Sequence, residues 1–98
     1  MIITKSQQII IASLAMDLLR MALGLHRGSL SMASRFRQEA LKRQQELESQ
    51  RVDHRIKKLL TNVKAVLNSN NERVVEDALI YSVLFQNLAR QISPMNPN

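Results

Sequence analysis

The stretch Ile9–Leu25, IIIASLAMDLLRMALGL, decides how this chain folds. Its only polar side chains are Ser13, Asp17 and Arg20, and Gly24 is the remaining break in the apolar run. These four positions follow one another at steps of 4, 3 and 4, so at helical pitch they form one narrow stripe. Every other direction presents Ile, Leu, Met or Ala. A helix that is apolar on nearly all sides needs neighbours on several faces. The run falls short of the roughly 20 residues that a spanning helix requires, and Asp17 and Arg20 sit at its middle. It also lacks the uninterrupted apolar stretch and small-residue cleavage site of a signal peptide. The expectation is a buried helix of a soluble, cytoplasmic protein rather than a membrane span, with peripheral membrane binding through the basic middle helix left as a third possibility.

Working outward, the 98 residues have room for one domain and a modest core. An apolar content of 45% is that of a chain that folds. Pro94 and Pro97 lie at the far end, and Gly24 and Gly28 are the only glycines. A chain so poor in breakers favours long helices. The only aromatics are Phe36, Tyr81 and Phe85, so Leu, Ile, Val and Met must fill the core. Cysteine is absent, which excludes a disulfide framework, a thiolate nucleophile and a Cys-based zinc site. The formal charge is +6, and the segment from His26 to Lys64 holds all of that excess.

Three helices are predicted, at about 4–26, 30–68 and 71–92, followed by an irregular tail over 94–98. Thr4 and Gln7 have the spacing of a capping box. Gly28 supplies the left-handed residue that ends the first helix, with His26 and Arg27 in its last turn. Ser29 or Ser31 can cap the second helix. No Pro or Gly interrupts the second helix before Asn68–Asn71. Its apolar stripe nevertheless changes side: Met32, Phe36, Ala40 and Leu47 lie roughly 150° from Val52, Ile56, Leu59, Leu60, Val63, Val66 and Leu67. Either the helix breaks near 48–51 so that both halves face one core, or it stays continuous and its first half meets a second subunit. The run of good helix formers through Gln44–Glu48 favours one long helix, straight or mildly kinked. Ser69 and Glu72 have capping-box spacing before the third helix. That helix repeats Val74, Ala78, Tyr81, Phe85, Leu88 and Ile92 as a heptad seam, and Val75, Leu79, Ile80, Val83 and Leu84 widen its apolar face.

Groups for catalysis are scarce. Asp53 and His54 are neighbours in sequence and diverge by about 100° on a helix, so they do not make a base and its orienting partner. His26 and His54 read as surface residues. No His or Glu-x-x-His pair has metal-ligand spacing, and no glycine-rich phosphate loop exists. Neither a metal, a cofactor nor an enzymatic activity is expected. Asp17 and Arg20 read as the solvent strip of an otherwise covered helix, with a buried register-fixing pair or a hook for a partner's charge as the alternative. Arg51, Arg55, Lys57, Lys58 and Lys64 lie opposite the apolar stripe of the second helix. They are the candidate contacts for nucleic acid or another polyanion, mainly through phosphates, since stacking aromatics and a known DNA-binding motif are missing. A solvated, salt-bridged surface is the plainer reading of the same residues.

The fold class expected is all-α: a three-helix antiparallel arrangement with a long middle helix, completed as a homo-oligomeric helical bundle. The first and third helices are too apolar for one three-helix layer to cover, so a homo-oligomer, a dimer first of all, or another protein should cover them. The expected interface is Ile10, Leu14, Leu18, Met21 and Leu25 with Phe36, Tyr81, Phe85 and Leu88. The function expected is that of a non-enzymatic protein–protein interaction protein: an adaptor, regulator or chaperone-like subunit. The alternative is a nucleic-acid-binding regulator acting through the basic face.

Overall fold

The computed structural model describes residues 3–91, which form four helices and no strand. They are α1 (Lys5–Arg27), α2 (Leu30–Glu48), α3 (His54–Leu67) and α4 (Val74–Gln91). α1 packs on α2 and α4, and α3 packs on the same two helices, while the diagonal pairs have no close backbone approach. The helices thus close a ring around a single core. Ile92, and the tail expected over 94–98, lie outside the described residues.

The predicted 30–68 helix is two helices, and the three-helix arrangement is replaced by four. The physical reason is phase. On α2 the buried residues are Ala33, Ala40, Gln44 and Leu47. Continuing those 3- and 4-residue steps without a break would turn Arg51, His54 and Lys58 inward. Three ionisable side chains cannot be left unpaired in an apolar core. A break over 49–53 instead turns the chain so that Ile56, Leu60, Val63 and Leu67 face the core.

Local chemistry holds the break without glycine or proline. Ser49 Oγ donates to the Glu46 carbonyl at 2.8 Å and the Asp53 carboxylate accepts from the Arg55 amide at 2.8 Å, closing α2 and opening α3. Across the resulting hairpin the Gln44 amide donates to the Leu60 carbonyl at 3.1 Å. The Arg37 guanidinium donates to the Leu67 and Ser69 carbonyls, placing a cation at the negative end of α3.

The first helix begins as its sequence implies. Thr4 and Gln7 form a complete capping box, with Thr4 Oγ1 accepting from the Gln7 amide at 3.0 Å and Gln7 Oε1 accepting from the Thr4 amide at 3.1 Å. Gln7 Nε2 also reaches the α2–α3 connection, donating to Gln50 Oε1 at 3.0 Å and to the Arg51 carbonyl at 3.3 Å. At the other end Gly28 has φ 75° and closes the helix in the left-handed region. Gly24 lies where α1 meets the start of α2, and a Cβ there would stand 2.8 Å from the Ala33 amide nitrogen and 3.1 Å from its Cα. A side chain at 24 would therefore push the two backbones apart.

α4 starts later than its sequence suggests. Ser69 and Glu72 do not form a capping box; Ser69 Oγ accepts from the Asn71 amide and Asn71 Oδ1 from the Arg73 amide, and the helix begins at Val74. These short Asn and Ser turns compete with helix for the same backbone groups.

Candidate functional site

The residues expected at an intermolecular interface lie inside the chain's own core. Leu14, Leu18, Met21 and Phe85 are fully buried, and Ile10, Leu25, Phe36, Tyr81 and Leu88 pack half-buried against them. α4 packs chiefly on α1 and to a lesser extent on α3, and its seam is closed within the chain. Tyr81 and Phe85 meet there with ring centroids 6.4 Å apart.

The apolar surface that stays open is elsewhere. α4 buries Val74, Ala78, Ser82, Phe85 and Ala89. At 100° per residue, Leu79, Ile80, Val83 and Leu84 centre on the opposite side of the helix. They are 40%, 55%, 52% and 42% exposed and line one shallow depression together. Isolated exposed hydrophobics are ordinary, but four large aliphatic side chains on two successive turns form a patch of the kind that marks a binding surface. Their presence in the sequence widened the apolar face of the third predicted helix, and the fold leaves that added width uncovered.

Beside this patch, an open groove of about 600 Å³ runs between α1 and α4, lined by Gln8, Ile9, Ala12, Ala15 and Met16 with Gln86, Ala89 and Arg90. Gln8 Nε2 donates to the Ala89 carbonyl at 2.7 Å, holding the two helices together at its floor. Ile9 and Met16 are exposed. Gln86 stands one turn after Val83, so the groove and the α4 patch adjoin along the same helix.

On the other flank of α1 the polar stripe resolves into two unlike halves. Asp17 is buried, and its carboxylate lies 3.6 Å from Arg43 Nε on α2. It is not part of a solvent strip, nor does it pair with Arg20 as an i, i+3 neighbour. Burial pushes the Asp17 carboxyl above its ordinary value, with Arg43 pulling it down and Glu39 adding to the rise. Arg20 is exposed and lies with its guanidinium carbon 5.5 Å from the Phe36 ring centroid, while Arg35 approaches that ring at 5.3 Å.

The candidate basic residues fall on α3 and the break before it. Arg51, Arg55, Lys57, Lys58 and Lys64 are all exposed on α3 or just before it. Lys64 pairs with Glu48 at 3.9 Å. Among the described residues no carboxylate lies within 4.0 Å of the other four charged groups. His26 and His54 are exposed at opposite ends of different helices. No group of three or more His, Asp or Glu among the described residues could hold a metal ion. By length and composition α1 is long and apolar enough to cross a membrane, and in this fold about half of it is covered by α2 and α4. No protein-family model matches the chain, and neither a curated protein nor a solved structure matches it.

Proposed function

We propose that this is a non-enzymatic helical interaction protein that works as a homo-oligomer, an adaptor, regulator or chaperone-like subunit in the cytoplasm, binding through the joined outer surfaces of α1 and α4. One observation carries the reading: four large aliphatic side chains, Leu79, Ile80, Val83 and Leu84, stand together in solvent on the side of α4 turned away from the core. Burying apolar area is the main favourable term in most protein association. The adjoining α1–α4 groove extends that surface with Ile9 and Met16. The polar rim of Gln8, Gln86 and Arg90 has the composition of an interface edge.

Nucleic-acid binding is the second reading, favoured by the four basic side chains Arg51, Arg55, Lys57 and Lys58 that have no acidic partner among the described residues. Contact would be to phosphates and steeply salt-dependent. Light-scattering mass after size exclusion separates the two, run in high salt and again in low salt with a short DNA duplex. The first reading expects a species larger than the 11.2 kDa chain that ignores the duplex. A mass that rises with duplex and returns when salt is added puts the α3 face first instead.

A further inference from the structure

We propose that two copies of this chain pair antiparallel through the outer face of α4, about a two-fold axis between Tyr81 and Ser82, with Glu76 of each copy set against Asn87 and Arg90 of the other. The proposal rests on the interaction-protein reading above and gives that reading its partner and register.

The order of the apolar residues comes first. Leu79 and Leu84 are equidistant from the midpoint between Tyr81 and Ser82, and so are Ile80 and Val83. An antiparallel pair centred there brings Leu79 level with the second copy's Leu84 and Ile80 level with its Val83. Each copy buries the same patch on the other, which is what a two-fold interface requires.

Charge then fixes the direction. α4 carries Glu76 and Asp77 in its first turn and Arg90 in its last. Glu76 and Asn87 are also equidistant from the midpoint, and at 100° per residue both fall near the mid-line of the exposed face. Antiparallel pairing sets Glu76 beside the second copy's Asn87 and puts Arg90 of that copy level with Arg73, about 4.5 Å along the axis from Glu76, so that the Glu76 carboxylate stands between the two cations. Within its own chain Glu76 Oε1 lies 3.9 Å from Arg73, and the Glu76 side chain remains 69% exposed. A parallel pair would instead place Glu76 against Glu76 and Arg90 against Arg90. Antiparallel helices also oppose their macrodipoles. The pair need not stop at α4, because Gln86 and Arg90 line the groove shared with Ile9 and Met16.

The chain has no cysteine, so single-cysteine variants report the geometry directly. The unmodified chain should run at twice 11.2 kDa in light scattering. Ile80→Glu should halve that mass while leaving the helical circular dichroism unchanged, because Ile80 faces solvent within the chain. Under mild oxidation, a mixture of Glu76→Cys and Asn87→Cys chains should form a mixed disulfide dimer. Glu76→Cys alone should form little, since its two copies lie about 16 Å apart along the axis. Self-linking of Glu76→Cys as readily as the mixture would establish a parallel pair and overturn the proposal. A dimer that survives Ile80→Glu without forming the mixed disulfide removes α4 pairing but keeps the oligomer. An unmodified chain that stays at 11.2 kDa at its highest soluble concentration removes both.

Discussion

Replacing Gly24 with alanine sets two effects of opposite sign against each other. Gly24 is a helix-interior glycine in the last turns of α1, and on propensity alone alanine should stabilise the protein by about 1 kcal/mol. The new Cβ, however, would stand 2.8 Å from the Ala33 nitrogen, 3.1 Å from the Ala33 Cα and 3.2 Å from the Met32 side chain. Met32 can move its side chain, but the two Ala33 atoms are backbone at the start of α2 and yield only if the helices separate. Forcing an extra methyl into such a contact costs about 1–3 kcal/mol. The close approach therefore wins, and Gly24→Ala should lose about 1 kcal/mol net, an outcome set by the overpacking term. For a domain of this size that loss lowers the melting temperature by about 4–8 °C. Thermal and urea unfolding followed by circular dichroism at 222 nm measure it directly. A variant that melts higher than the parent would refute the reasoning, since it would mean that α1 and α2 are not in backbone contact at this point.

Other substitutions test the core and its buried polar groups. Leu18 is fully buried at the centre of α1, so Leu18→Ala should cost about 3–5 kcal/mol in urea unfolding, and a loss under 1 kcal/mol would place it outside the core. Gln44 is fully buried, its Oε1 without a hydrogen-bond partner among the described residues while its amide meets Leu60; Gln44→Met, of similar volume, should gain about 1 kcal/mol, and a clear loss would show the Leu60 bond to outweigh the stranded oxygen. Asp17 takes up a proton more readily folded than unfolded, because burial raises its pKa, so ionisation weakens the fold as pH rises through the interval above the ordinary carboxylate value. The stability of Asp17→Asn relative to the parent should accordingly increase from pH 3.5 to pH 7, and a relative loss over that range would show that Arg43 more than offsets the burial.

Much of this fold is legible in the residues themselves. The all-round apolar character of Ile9–Leu25 implies a helix with neighbours on several sides, and α1 packs on two. Gly28 marks the first turn, and Thr4 with Gln7 marks the first start. The break at 49–53 is one of the two alternatives that the change of stripe leaves open, and the lack of glycine or proline there, with good helix formers just before it, weighs toward continuity. The signal was present as phase: the stripe of α2, extended, runs into Arg51, His54 and Lys58, whereas the apolar residues beyond lie on another side. A continuous middle helix would give three helices, with the seam of the last one facing another molecule. In the fold the seam closes inside the chain, and the surplus on α4 is the part left exposed. The burial of Asp17 was not legible, since its partner Arg43 comes from a helix whose facing side only the tertiary arrangement sets.

The double engagement of Gln7 has a consequence for how the protein opens. One carboxamide completes the N-terminal cap of α1 through its oxygen and holds the α2–α3 connection through its nitrogen. Two regions more than 40 residues apart in sequence thus share one side chain, and neither can loosen without disturbing the other. The start of α1 and the loop that re-phases the middle of the chain form one cooperative opening unit. Amide exchange at the Thr4 cap and protease access to the 49–53 loop should then rise together. A glutamate at position 7 would uncouple them, because it preserves the acceptor that caps the helix and removes the donor that tethers the loop.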